Sequence, residues 1–141
     1  MRLFGFERRW LAQVNGAILP SGASDALPLG AADVPMDRFV DDLFARAPLR
    51  MLVGVRLALW AVVVSPPFVV GRWATFGGLS DAERVACLVR LRESPTYAVR
   101  EIPILLKAMA CLGYCGLPAI AGRIAPPRRA APPAWAAERD E

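Results

Sequence analysis

Apolar residues recur along this chain at three- and four-residue intervals, and no segment shows the strict alternation of a strand. Phe6, Trp10, Val14, Ala17 and Ile18 mark one face of a first helix, which Pro20 stops. Residues 20–34, PSGASDALPLGAADV, are rich in turn formers and read as a loop. A second helix carries Met36, Phe39, Val40, Leu43 and Phe44 on one face and Asp37, Arg38, Asp41 and Asp42 on the other. Asp33 is the expected N-cap of this helix, Pro35 falls near its first turn, and Pro48 closes it.

Residues 51–71, MLVGVRLALWAVVVSPPFVVG, contain a single charge, Arg56. Their length suits a bilayer span. Against that, an arginine near the centre of a span costs ~2.5–3.5 kcal/mol on insertion scales. Ser65-Pro66-Pro67 also breaks the helix, because prolines lack the amide donor and clash with the preceding turn. A buried central helix, apolar all round because its neighbours cover it, is the expected reading.

Ser80-Asp81-Ala82-Glu83 has the form of a capping box, opening a helix with Val85, Leu88, Val89 and Leu91 inward and Arg84, Arg90, Arg92 and Glu93 outward. Ser94-Pro95 restarts the chain as N-cap plus first-turn proline. The following helix carries Ile102, Leu105, Leu106, Met109 and Leu112, is kinked at Pro103, and ends at Gly113, Gly116 and Pro118. The tail, residues 125–141, is rich in Ala and Pro and reads as disordered, with Trp135 its one large anchor. The expectation is an all-α fold: an orthogonal helical domain, 1–124, of five or six helices around a Pro-broken apolar helix, then the tail.

Composition changes this picture in two ways. Hydrophobic residues make up 55% of 141 positions, more than a domain this small readily buries, so apolar surface is left for a partner or a membrane. There is no histidine, which removes the commonest general base, the commonest metal ligand and every histidine-containing triad. The net charge of +4 comes from scattered arginines rather than a basic stripe, so no nucleic-acid partner is expected. Cys87, Cys111 and Cys115 lack CxxC spacing and read as small packing residues in a reducing compartment. Asp37, Asp41 and Asp42 read as a solvated face rather than a catalytic pair. No phosphate loop, dinucleotide fingerprint or nucleophile elbow is present. Arg8-Arg9 resembles a twin-arginine signal, but Gln13, Asn15 and Gly16 interrupt the stretch that follows. A place in the cytoplasm or at the cytoplasmic membrane surface is therefore expected.

The helix FERRWLAQVNGAILP, the loop LPLGAADVPM and the helix DRFVDDLFARAP resemble the small third subunit of gluconate 2-dehydrogenase and related accessory subunits of glucose–methanol–choline (GMC) flavoproteins. The later run FGGLSDAERVACLVRLRESPTYAVREIPILLKAMACLGYCGLPAI is similar to the helical region preceding the flavin domain of long-chain alcohol oxidases. The resemblance covers roughly residues 6–124 and rests on helix caps and apolar spacing. It implies a non-catalytic accessory subunit docking on a larger FAD-bearing oxidoreductase of alcohols, sugars or steroids. No flavin-binding residue carries over, since the glycine fingerprint is absent here, so FAD and the catalytic residues are expected on the partner alone. Third subunits often carry an export signal, and this chain departs from them there. Trp60, Phe68, Phe76 and Tyr114 are the expected docking residues, because large aromatics that fill pockets dominate interface energies. The rival reading is a small integral membrane protein of one or two spans, at 51–71 alone or at 51–71 and 102–121, with an unrelated function.

Overall fold

The capping box works as its spacing requires. In a computed structural model describing residues 3–25 and 27–124, Glu83 N–H donates to Ser80 Oγ (3.4 Å) and Ser80 N–H donates to Glu83 Oε2 (2.9 Å). Such a cap contributes ~0.5–2 kcal/mol and fixes where the helix begins. The described residues form seven α-helices and no strand: α1 Gly5–Ile18, α2 Met36–Arg46, α3 Leu49–Val64, α4 Pro66–Val69, α5 Asp81–Arg92, α6 Tyr97–Cys115 and α7 Pro118–Ile124. Short 3-10 turns cover Ala31–Asp33 and Phe76–Gly78. The all-α expectation holds. The count exceeds five or six because each proline-marked break gives a short helix of its own. The proposed disordered tail lies outside the described residues.

Helices α1, α3, α5 and α6 pack around one core, in which Val14, Leu59, Val62, Cys87 and Leu106 are fully enclosed. A second, smaller cluster of Met36, Tyr114 and Ile120 ties α2, α6 and α7 to the 20–34 loop. There Tyr114 Oη–H donates to the carbonyl of Leu29 at 2.5 Å, joining α6 to the loop across the fold. The turn between α6 and α7 is sharp, at 92°.

Several expected boundaries move. Asp33 does not cap α2; its carboxylate accepts from Ser21 Oγ and from Gly30 N–H (2.8 Å), closing the loop on itself, and Pro35 takes the N-cap position of α2. Helix α6 begins two residues after Pro95, with Thr96 as N-cap, and Ser94 Oγ instead accepts from Thr96 N–H. On α1 the buried stripe is Glu7, Leu11, Val14 and Asn15, rotated from the predicted face, which leaves Phe6 and Trp10 at the margin. On α5, Val85 and Val89 are exposed, while Arg84 turns inward to donate to the carbonyls of Phe76 and Gly77.

Helix α6 does not stop at Gly113. That glycine lies inside the helix against α2, where a Cβ would overlap the ring of Phe39. Alanine there gains up to ~1 kcal/mol of helix propensity, but overpacking a seam of this kind costs ~1–3 kcal/mol. Gly113→Ala should therefore lower the melting temperature. Gly113→Ala/Phe39→Leu should recover part of the loss, as read by thermal unfolding.

Candidate docking surface

The one charge in the apolar segment has a partner that spacing alone does not reveal. Arg56 on α3 meets Glu7 on α1: Arg56 Nε donates to Glu7 Oε1 (2.6 Å) and Nη2 to Oε2 (2.5 Å), a bidentate pair. Glu7 is 1% exposed. Its carboxylate also accepts from the indole N–H of Trp60 (3.0 Å) and the backbone N–H of Phe4 (2.8 Å). Phe4 is the N-cap position of α1 and has no side-chain acceptor, so Glu7 serves both the helix start and the inter-helix pair. Hydrogen bonding from Arg56, against the opposing effect of burial, holds the Glu7 carboxyl down to about 2 from the usual 4.5, with the Phe4 and Trp60 donors helping.

Around this pair lies an aromatic cluster. Trp60 meets Trp10 edge-on at 5.0 Å and Phe6 at 6.1 Å; Phe6 stacks on Phe4, and the Arg56 guanidinium lies 4.9 Å from the Phe4 ring centroid. Phe4, Phe6 and Trp60 all keep exposed surface, Trp60 at 41%.

Helix α3 is not covered all round, contrary to the sequence expectation. Leu52, Val55, Leu59, Val62 and Val63 face the core, while Leu49, Val53, Leu57, Trp60 and Val64 form an exposed ridge down the other side. Beside the ridge an open apolar groove of about 700 Å³ runs between α3 and α6. Gly54, Ala58 and Ala61 line one wall, Ile102, Ile104 and Leu105 the other, and Glu101 is the one charged side chain in it. Four-residue spacing carries the ridge from Val64 to Phe68. Ser65 keeps right-handed helical dihedrals (φ −71°, ψ −24°) between them.

The four expected docking residues divide. Trp60 and Phe68 are on the surface, Phe68 at 88% exposure. Phe76 and Tyr114 are buried and belong to the core, Phe76 within the main cluster and Tyr114 beneath the 20–34 loop. Sequence reading passed over Leu57, Val53 and Trp73, the last 97% exposed. The two aliphatics were legible as a second helical stripe on α3. Trp73 stands alone between Arg72 and Ala74 with no periodic neighbour to mark it.

No cluster of three or more potential metal ligands occurs among the described residues. Cys87 is buried, its thiol 3.4 Å from Ser65 Oγ, and burial pushes its pKa up; Cys111 and Cys115 are also free thiols. No single described helix is long and apolar enough to cross a membrane, although α6 and α7 together pass that test by length and composition across their bend. The described residues thus form an all-α domain with an apolar face that none of the described elements covers. No family model, no curated protein and no solved structure matches the chain.

Glu7→Gln leaves Arg56 without its counter-charge and should cost ~3–5 kcal/mol, whereas Glu7→Leu/Arg56→Leu should be far milder, because both polar partners leave together. Chemical denaturation of the three chains checks this. In acid, the unfolded carboxyl takes up a proton near 4.5 and the folded one only near 2. The pair's contribution is therefore complete above pH 4.5 and is lost as pH falls toward 2. Wild type should lose more stability over that window than the double variant, by equilibrium unfolding at matched pH.

Proposed function

We propose that this chain is a non-catalytic accessory subunit, which binds and stabilises or completes a larger FAD-dependent GMC-type oxidoreductase of alcohols, sugars or steroids at a membrane surface. The observation that carries the reading is the apolar ridge of α3 beside the α3–α6 groove. A ridge flanked by a groove offers a protein partner both a knob and a hole, the arrangement in which aliphatic and aromatic anchors contribute most to binding. The lack of histidine and of a dinucleotide fingerprint supports placing FAD on the partner. The resemblance of the α1–α2 region to flavoprotein accessory subunits supports the choice of partner. A small integral membrane protein remains the second reading, and the bent α6–α7 pair favours it.

Co-expression with a cognate GMC flavoprotein should give a soluble or peripherally bound complex and raise the yield of folded chain, since binding the folded state stabilises it by mass action. Leu57→Glu removes an exposed side chain without touching the core, and should weaken capture of the flavoprotein at least about tenfold in a pull-down. Phe76→Ala and Tyr114→Ala should act through folding instead, lowering the melting temperature. A chain that is monomeric and stable alone and never captures the flavoprotein refutes the reading. One that stays in the bilayer after carbonate washing, with no flavoprotein attached, establishes the second.

A further inference from the structure

From Leu43 to Ser80 the chain contains four arginines and no acidic residue. This segment runs from the last turn of α2 through α3 and α4 to the start of α5. Arg56 is neutralised by Glu7 in the interior; at the surface Arg46 meets Asp42 (3.9 Å), Arg72 meets Glu83, and Arg50 is exposed. At the end of the ridge α4 is a single helical turn, and Gly71 reverses the chain with φ +70°, a conformation that favours glycine. The corner so formed holds out two large aromatics, Phe68 and Trp73, at 88% and 97% exposure, with Arg72 between them in the sequence.

The corner is tied down from behind. Arg90 Nη1 on α5 donates to the carbonyl of Val69 (2.9 Å), Arg72 reaches Glu83 at 3.6 Å, and Val69 and Val70 pack against the main core. The backbone at the corner is thereby held while the aromatic rings stay in water. Ordinary domain packing leaves a tryptophan and a phenylalanine this bare only at a cost in exposed apolar area.

We infer that the Phe68–Trp73 corner docks in the interfacial layer of an anionic lipid bilayer. Charge complementarity selects the occupant: the exposed guanidiniums of Arg72 and Arg90 both lie at the corner, against the Glu83 carboxylate that Arg72 reaches, and this cationic excess beside two bare rings matches acidic headgroups above an apolar layer. Tryptophan and other aromatics favour that headgroup–acyl boundary, and arginine reaches phosphate while its stem stays in the apolar zone. A bilayer also yields around a convex wedge, with no need for a preshaped pocket. The inference deepens the membrane-surface part of the proposed function and does not depend on the flavoprotein part.

The test is flotation of the full chain with vesicles of phosphatidylcholine alone or mixed with phosphatidylglycerol. Flotation separates lipid-bound chain, which rises, from aggregate, which sinks. Wild type should float with the anionic vesicles, and Phe68→Ser/Trp73→Ser should reduce the bound fraction about tenfold or more. Arg72→Gln should weaken binding to anionic vesicles several-fold and leave the weak binding to neutral ones unchanged. Brominated lipid should quench wild-type tryptophan emission more than that of Trp73→Phe. Both corner aromatics are exposed, so circular dichroism of the variants should match wild type. Failure of wild type to float, equal flotation of the double variant, or undiminished quenching in Trp73→Phe overturns the inference. So does loss of flavoprotein capture in the double variant without any vesicle binding, which assigns the corner to protein. Because the flavoprotein reading is tested at Leu57 by pull-down, either can fail without the other.

Discussion

A carboxylate and a guanidinium taken out of water together set the terms for this fold. Glu7 and Arg56 come from helices separated by the whole of the 20–34 loop and α2, and they meet as a two-point pair with almost no solvent on the carboxylate. Desolvating either alone is costly, so α1 and α3 must be placed to satisfy both. Glu7 uses its remaining acceptor capacity on Trp60 and on the N-cap amide of Phe4, just before α1. One side chain thereby fixes a helix start, a helix–helix register and the orientation of an indole. Apolar contacts are non-directional and would tolerate α1 sliding along α3; this pair does not.

The surface follows from that placement. With Trp60 held by Glu7 and by the edge of Trp10, the apolar residues of α3 fall into two sets. One set enters the core. The other, one helical face away, is covered by none of the described elements and becomes the ridge. The break at Ser65-Pro66-Pro67 ends the amide ladder of α3 without reversing the chain, so the ridge runs on to Phe68 before Gly71 turns away. The apolar excess in the composition is thus concentrated along α3 and its corner, with smaller exposed patches on α5 and α6.

Loop closure uses a different chemistry from the core. Asp33 accepts from Ser21 and Gly30, and the Tyr114 hydroxyl reaches Leu29, so the 20–34 segment is held by polar contacts as well as by the packing of Leu27, Leu29 and Val34. At Gly30 an added Cβ would overlap the backbone of Ser21, so the loop needs glycine there for close approach. Asp33 was assigned to the next helix from sequence because an aspartate two residues before a proline and an apolar repeat fits an N-cap. The loop competes for the same carboxylate and wins, since its donors include a hydroxyl brought in from twelve residues upstream.

Helix existence and type, the capping box at Ser80 and the break at Ser65-Pro66-Pro67 were all written in local spacing, because each depends on residues within a turn or two of one another. The solvated acidic face of α2 was legible for the same reason. Which stripe turns inward was legible on α2 but not on every helix. Helices α1, α3, α5 and α6 carry apolar residues on more than one face, and periodicity cannot rank two apolar stripes when both are present. Phe76 and Tyr114 went to the core, and Leu57 and Trp73 to the surface, because neighbours distant in sequence covered the first two and left the others bare. Gly113 read as a helix end and proved to be a contact, since the ring that requires it lies on α2. Sequence determined the main helices and the start at Ser80; only tertiary structure decided the pairing of Glu7 with Arg56, and through it the face that the described residues leave open, because both depend on contacts between residues far apart along the chain.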